Sequence, residues 1–444
     1  MSKHVASTNL LAPPLISSPT DSSTHRYWLR AGWVMVASGW SANQFSALLG
    51  AYRSDLGLTT TTTTALFAIY VLGMIPGLLL GGPLADRRGR RPVVFFALAT
   101  SALATCLLMT GPAVSALLWP GRFLTGIGAG ALLAAGSAWI KELSTPPHGT
   151  AADPGTAARR SGLFLSAGFA SGGLAASLIA QWAPHPMVTA YIPHLILSAF
   201  AALCAAHAPE STSARNTVTP SATTTPPKQD DMSSASTFRR LIAPTAPWVF
   251  AGPAVAFATL PGLVDGDLKG WETVYAGVIT AITPGAGLFV TPFARRLAAR
   301  HRIATGVSGL FAIAIGLVLA AVAAANTQPV VALASAAVLG GGYGLCVAYG
   351  LTEVAVLAPP HQLARVTSRF WTLAYLGFIA PYVITLLTKL FTPPSVLLGA
   401  ATLALVTLGS VAYLGTRAPT AEPSCAATTK TAGAHRPEVS ITGT

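Results

Sequence analysis

The fold class predicted by the sequence is an all-α integral membrane protein, with twelve transmembrane helices forming two pseudo-symmetric six-helix bundles. Three observations lead there. Apolar runs of about 20 residues, the length that crosses a bilayer, follow one another along a chain that is 52% hydrophobic and 9% charged, with a mean hydropathy of +0.58. Basic residues collect at alternate run ends: of 27 Lys and Arg, only Arg53, Lys269, Lys389 and Arg122 fall away from one face. Lys and Arg resist translocation, so that face is expected to be cytoplasmic, with both termini on it and an even number of spans. Finally, short patterns in the first half of the chain recur in the same order in the second.

Residues 1–27 form a polar tail rich in Ser, Thr and Pro without a signal-peptide core, so the first span is expected to be a retained targeting element. Six runs make an N-terminal bundle over 28–208: Trp28 to Gly50, Ala65 to Pro83, Pro92 to Thr110, Leu118 to Ile140, Ser161 to Trp182 and Met187 to Ala206. A Thr-rich loop at 59–64 joins the first two. At Pro209 the composition turns to Ser, Thr, Pro and charge, as in STSARNTVTPSATTTPPKQDD. Such a segment cannot bury a core and reads as a flexible cytoplasmic linker over 209–245. Six more runs, at 246–264, 271–293, 303–325, 329–357, 370–391 and 395–416, make a C-terminal bundle over 246–416. A second cytoplasmic tail, 417–444, closes the chain.

The repeat is read from three patterns. Pro76-Gly77 stands ahead of Arg87-Arg88 as Pro284-Gly285 stands ahead of Arg295-Arg296. Gly126, Gly128, Gly130 and Gly136 return as Gly340, Gly342, Gly344 and Gly350, and Arg160, Gly168 and Phe169 as Arg369, Gly377 and Phe378. One duplicated six-span unit accounts for the order. Its glycines have a physical reading of their own, because small residues let helix backbones pack closely in lipid.

Between the second and third runs stands GGPLADRRGRRP, residues 81–92, where Asp86, Arg87, Arg88, Arg90 and Arg91 are packed together. Its Gly and Pro residues are expected to set a tight turn, and Asp86 to neutralise a neighbouring base or face a helix N-terminus. Gly82-x-Leu84-Ala85-Asp86-Arg87-x-Gly89-Arg90-Arg91 resembles the signature loop between spans 2 and 3 of the major facilitator superfamily. The chain thus resembles a bacterial member of that family, of no resolved subfamily. The resemblance implies a gate latch, with Asp86 near the start of span 11 at Arg369 and Phe370, and Arg90 near Glu142 at the end of span 4. Arg122 opens RFLTGIGAGA, similar to the family's second motif; this implies a cavity-facing arginine that handles substrate charge or protons. The span-5 pattern of the drug-exporting branch is matched in part by GFASGG at 168–173, with the glycines but without the proline.

Polar groups inside apolar runs carry the functional expectations, since a charge in hydrocarbon is costly. Arg122 either serves transport or snorkels to the outer interface. Asn43 and Gln44 either bind substrate or bond a neighbouring helix. His194 is a helix–helix hydrogen bond or a proton carrier. Glu353 is expected near the cytoplasmic end, paired with Arg365 or Arg369, and Asp55 is expected to pair with Arg53. Tyr343, Tyr349, Trp371 and Tyr375 form an aromatic wall for an apolar ligand or simply pack. The four cysteines, Cys106, Cys204, Cys346 and Cys425, are widely spaced and indicate neither a disulfide framework nor a metal site. The net charge of +13 sits in loops rather than on one soluble face, which argues against nucleic acid.

The expected function is secondary active transport of a small organic molecule by alternating access in the cell membrane. It is expected to be proton-coupled by resemblance, an exporter, a monomer and free of cofactors. An importer of a sugar or other metabolite is the alternative. A membrane transferase would need a carboxylate pair or His-Asp constellation that is not seen, and a non-transporting sensor is a further reading. With no Gly-x-x-x-x-Gly-Lys loop, ATP is not expected to drive it.

Overall fold

The computed structural model describes residues 27–149, 154–211, 236–358 and 363–416, and among these every regular element is a helix. Ten helical stretches are long and apolar enough to cross a membrane. They form spans 2–6, namely Thr60–Arg88, Arg90–Met109, Leu118–Leu143, Pro154–Trp182 and Ile192–Ala206. They also form spans 8–12: Glu272–Phe289, Ala304–Asn326, Pro329–Leu357, Leu363–Tyr375 continued by Ala380–Leu387, and Pro393–Thr416. Span 7 is the shorter apolar helix Trp248–Ala258. Span 1 is broken: Tyr27–Asn43 gives way to a tight turn at Ser46–Leu48 before Leu49–Leu56 resumes. These twelve spans build the two six-helix bundles.

Several boundaries differ from expectation, each for a local reason. The Thr-rich stretch is helix, not loop. Thr59 caps it by accepting from the Thr62 N–H at 3.1 Å, and the Thr64 hydroxyl donates back to the Thr60 carbonyl at 2.8 Å. The expected turn over 81–92 shrinks to one residue. Span 2 runs through Gly81, Gly82 and Pro83 to Arg88, and only Gly89, at φ +98°, breaks it before span 3. Beyond span 8 the basic segment is the helix Thr291–Arg300, started by Pro292 in its first turn. Of the expected linker, 212–235 lies outside the described residues, as do most of the tails and Cys425. The flanks that are described hold regular contacts: 207–211 lie on the N-terminal bundle, and Phe238–Ile242 makes a wide helical turn ahead of span 7.

Glycine decides how the spans meet, and it does so twice. A Cβ on Gly126 or Gly130 would run into the backbone of span 2 at Tyr70 and Met74, and one on Gly77 into the span 4 carbonyl of Ile127. In the second half, a Cβ on Gly340 would meet the Thr283 carbonyl of span 8, and one on Gly344 that of Gly287. Likewise Gly168 of span 5 abuts the Val36 carbonyl of span 1, as Gly377 of span 11 abuts the Pro247 carbonyl beside span 7. The repeated glycines thus mark repeated backbone contacts, between spans 2 and 4 and spans 8 and 10, then between spans 1 and 5 and spans 7 and 11. Across the halves, span 5 lies along span 8 and span 2 along span 11.

Gly340→Ala should therefore lower the melting temperature of the detergent-purified protein, with an overpacking cost of about 1–3 kcal/mol. Gly285→Ala is the control, because a Cβ there meets nothing within 4 Å; it should leave the melting point unchanged or slightly higher. Equal falls in the two variants would dismiss backbone approach as the cause.

Candidate functional site

The face that carries Arg87, Arg88, Arg295 and Arg296 is here termed the basic face. At its N-terminal half, the break at Gly89 exposes the first backbone N–H groups of span 3, and Glu210 fills the gap. Its carboxylate accepts from the N–H of Arg90 at 2.9 Å and of Arg91 at 3.0 Å, where a helix N-terminus favours negative charge. A side chain in place of Gly89 would come within 2.9 Å of that carboxylate. The Arg90 side chain is 3% exposed and donates through Nη2 to Asp86 at 2.7 Å and to Glu142 at 2.7 Å, with Nε completing the fork on Glu142 at 3.2 Å. Ser211 donates to Glu142, the Trp139 indole to the Pro209 carbonyl at 3.1 Å, and Arg30 to the His207 carbonyl at 2.6 Å. The end of span 6 is thereby strapped over the bases of spans 1, 3 and 4. Asp86 is 54% exposed and Arg87 is exposed, while Gly82 and Arg91 are half-buried.

The C-terminal half holds the counterpart. Arg302, just before span 9, forks onto Glu353 near the end of span 10 through Nε at 2.9 and 3.1 Å and Nη2 at 2.8 Å. The two Arg–Glu pairs are separated by 52 and 51 residues in their respective halves. Glu353 is fully buried, and its partner is Arg302 rather than the expected Arg365 or Arg369. Span 9 packs along span 10, which brings Arg302 over the carboxylate. Those hydrogen bonds hold the Arg302 guanidinium above its ordinary pKa.

Inside the N-terminal bundle Arg122 is 1% exposed, so it does not snorkel. Its Nε donates to the Leu66 carbonyl at 3.2 Å, and its guanidinium lies 4.3 Å from the Phe45 ring centre and 5.0 Å from that of Tyr70. Ring faces attract the cation, but Nη1 finds no partner among the described residues. Asn43 and Gln44 sit at the break of span 1 and are buried. Asn43 donates to the Phe169 carbonyl of span 5 at 2.8 Å. Gln44 reaches Thr105 at 3.5 Å, and Thr105 bonds His194 at 2.8 Å, with Ser198 on the other ring nitrogen at 3.2 Å. These contacts tie spans 1, 3 and 6 together.

At mid-depth the halves meet through rings. Phe250 stacks on Tyr375 at 4.5 Å, and Tyr375 on Phe378 at 5.9 Å; Phe378 then packs against Phe67 and Tyr70 of span 2 at 5.4 and 5.8 Å. Phe169, Phe250, Pro284, Tyr343 and Phe378 surround a small cavity here. Trp371 joins the cluster, 6.2 Å from Phe250, whereas Tyr349 packs against Gly306 of span 9. Away from the basic face the halves are closed on each other. Gln181 donates to the Gly270 carbonyl at 2.9 Å, Trp182 meets Trp271 edge-on at 6.1 Å, and Ser177 and Thr280 fill the spaces beside Gly277 and Gly173. Arg53 lies against Gly262 of the other half instead of bonding Asp55, which accepts from Ser54 at 2.6 Å.

The Major Facilitator Superfamily model matches residues 31–381. The chain belongs to that family. Its members are membrane transporters, and this chain is a multi-pass transporter of that fold. Solved structures agree. A POT family transporter in complex with 5-aminolevulinic acid superposes with a TM-score of 0.72 at 12% identity, over 88% of this chain and 96% of that one. The nucleoside transporter NupG superposes at 0.67 and 16% identity, over 87% and 98%. Among curated proteins, the multidrug resistance protein MdtL of Klebsiella pneumoniae (strain 342) is 38% identical over 76 residues, 17% of this chain and 19% of that protein. MdtL of Shewanella oneidensis is 39% identical over 77 residues, with the same coverage. The matched stretch spans about a fifth of the length of these relatives.

Within this frame the structure joins Asp86, Arg90 and Glu142, as the motif implied. Glu210, Ser211 and Arg302 were not singled out from sequence. The signal for Glu210 was an acid standing directly after span 6, and for Arg302 a base directly before span 9. Glu142→Ala should strip the main partner from a buried guanidinium, at a cost of about 3–5 kcal/mol. Asp86→Ala breaks a half-exposed contact worth at most about 1 kcal/mol. Thermal unfolding in detergent should rank Glu142→Ala well below Asp86→Ala; the reverse order would reassign the anchor.

Proposed function

We propose that this transporter exports a small organic molecule across the cell membrane by alternating access, driven by protons, with both termini cytoplasmic and one chain as the working unit. The carrying observation is the division of contacts. Ion networks on the basic face are internal to each half, while named cross-half contacts gather at the ring cluster and beyond it. Halves so joined can rock about the middle without breaking a buried salt bridge. The partial likeness to MdtL supports export of an organic compound, and the resemblance supports proton coupling. Import of a metabolite is the second reading, favoured by the superposition on the POT and NupG structures. Counterflow in proteoliposomes under an imposed pH gradient tests direction and coupling together; absence of flux for every compound class would refute transport of small organic molecules.

In this reading Asp86 is a gate latch. Its half-exposed carboxylate becomes buried at the start of span 11 when the basic face closes, where the helix dipole favours it. Asp86→Asn should bias the protein toward the state open on the basic face and cut transport severalfold at near-normal expression. A wild-type rate in this variant, measured in the same proteoliposomes, would remove the latch.

Arg122 is the interior charge of the pathway, flanked in the N-terminal bundle by Asn43, Gln44 and His194. Arg122→Lys keeps charge but loses the planar fork between two rings, and should reduce turnover more than protein level. Arg122→Ala should abolish turnover. Normal flux in Arg122→Ala would exclude the residue from the mechanism.

A further inference from the structure

The ring cluster and the buried arginine lie next to each other, and together they define a substrate class. Every side chain named around the mid-depth cavity presents carbon, apart from the Tyr343 hydroxyl. Three of the rings are close to parallel: Phe250 on Tyr375 at 20° and Tyr375 on Phe378 at 13°. The enclosed space between the rings is only about 10 Å³, so a ligand enters by parting rings rather than filling a void. A flat molecule parts stacked rings with the least displacement and restores their offset stacking on both faces.

Charge at this depth has one sign. Glu142 is held by Arg90 and Glu353 by Arg302, so these acids are neutralised near the basic face. Arg122 has ring faces and one carbonyl but no carboxylate among the partners found for it. Its guanidinium is 5.0 Å from the Tyr70 ring, and that ring is 5.8 Å from Phe378, so the cation stands within about 11 Å of the cavity wall. At that separation and an effective dielectric constant of about 20, a monocation in the cavity is disfavoured roughly tenfold. No group named around the cavity offsets that repulsion.

We propose that the mid-depth site takes planar aromatic molecules without positive charge, neutral or mono-anionic, and that Arg122 enforces the exclusion of organic cations. This rests on the reading of the chain as a transporter of small organic molecules and names its substrate class.

A size-matched series tests it on the full-length purified protein: 2-naphthoate, 2-naphthamide and 2-naphthyl-trimethylammonium. Displacement of radiolabelled 2-naphthoate in a scintillation proximity assay should give comparable affinities for the acid and the amide, and at least tenfold weaker binding for the ammonium compound. Arg122→Gln should bring the ammonium compound to within about twofold of the amide, while Arg122→Lys keeps the tenfold gap. Phe378→Ala should weaken all three together and leave their ratios unchanged, which locates the site without touching the charge. Equal affinity of the ammonium and amide compounds in the wild-type protein overturns the charge exclusion, and unchanged affinities in Phe378→Ala overturn the location. Counterflow of labelled 2-naphthoate separates the two levels of argument. Flux with no discrimination against the cation sinks this inference alone, whereas no flux of any organic compound sinks the transport reading beneath it.

Discussion

Lipid gives a helix little hydrophobic reason to prefer protein to its surroundings, so the spans must be held by contact and by hydrogen bonds. Here the contact is made by glycine backbones lying directly on neighbouring carbonyls: Gly126 and Gly130 on span 2, Gly340 and Gly344 on span 8, Gly168 on span 1, Gly377 beside span 7. Everything else depends on that approach. It sets the ring cluster at mid-depth, because Gly377 fixes span 11 against the start of span 7, and Phe378 and Phe250 follow from those two elements. It also sets span 4 against span 2, which encloses Arg122 between Phe45 and Tyr70.

Charge is handled in two ways at the two depths. Near the basic face, Arg90 and Arg302 each grip a glutamate from the span packed beside them, and the pairs stand at matching places in the duplicated unit. A buried guanidinium with a forked carboxylate is compensated, so these pairs act as anchors for spans 3, 4, 9 and 10 rather than as groups free to change state. Arg122 has no such partner in the opposite half of the repeat or in its own. A charge left in that condition within hydrocarbon costs stability, and functional sites are where such costs are carried.

The faces also differ in kind. Contacts joining the halves beyond the ring cluster are glycine-to-hydroxyl and edge-on tryptophan packing, with one amide-to-carbonyl bond. Such contacts separate without exposing an unpaired charge. The ion pairs stay inside each bundle, so a rocking motion preserves them. The strap at 207–211 adds a further link, since the linker between the bundles leaves from residues already bonded to the motif loop.

The sequence by itself determined the architecture: span count, duplication, the pairing of Arg90 with Glu142, and membership in the superfamily. Bilayer thickness fixes the length of an apolar run, translocation fixes where bases stand, and a glycine repeat survives only where backbones touch, so each is written in one dimension. Tertiary structure decided the partners. Glu353 joined Arg302 rather than Arg365 or Arg369, because a partner is chosen by which span packs alongside and not by distance along the chain. Glu210 became the cap of span 3 from well over a hundred residues away. The basic turn contracted to Gly89 because helix formation ran through Gly81, Gly82 and Pro83 in the absence of a positive φ there. Arg122 proved enclosed rather than snorkelled, since Phe45 and Tyr70 come from two other spans whose positions relative to it only the folded bundle sets.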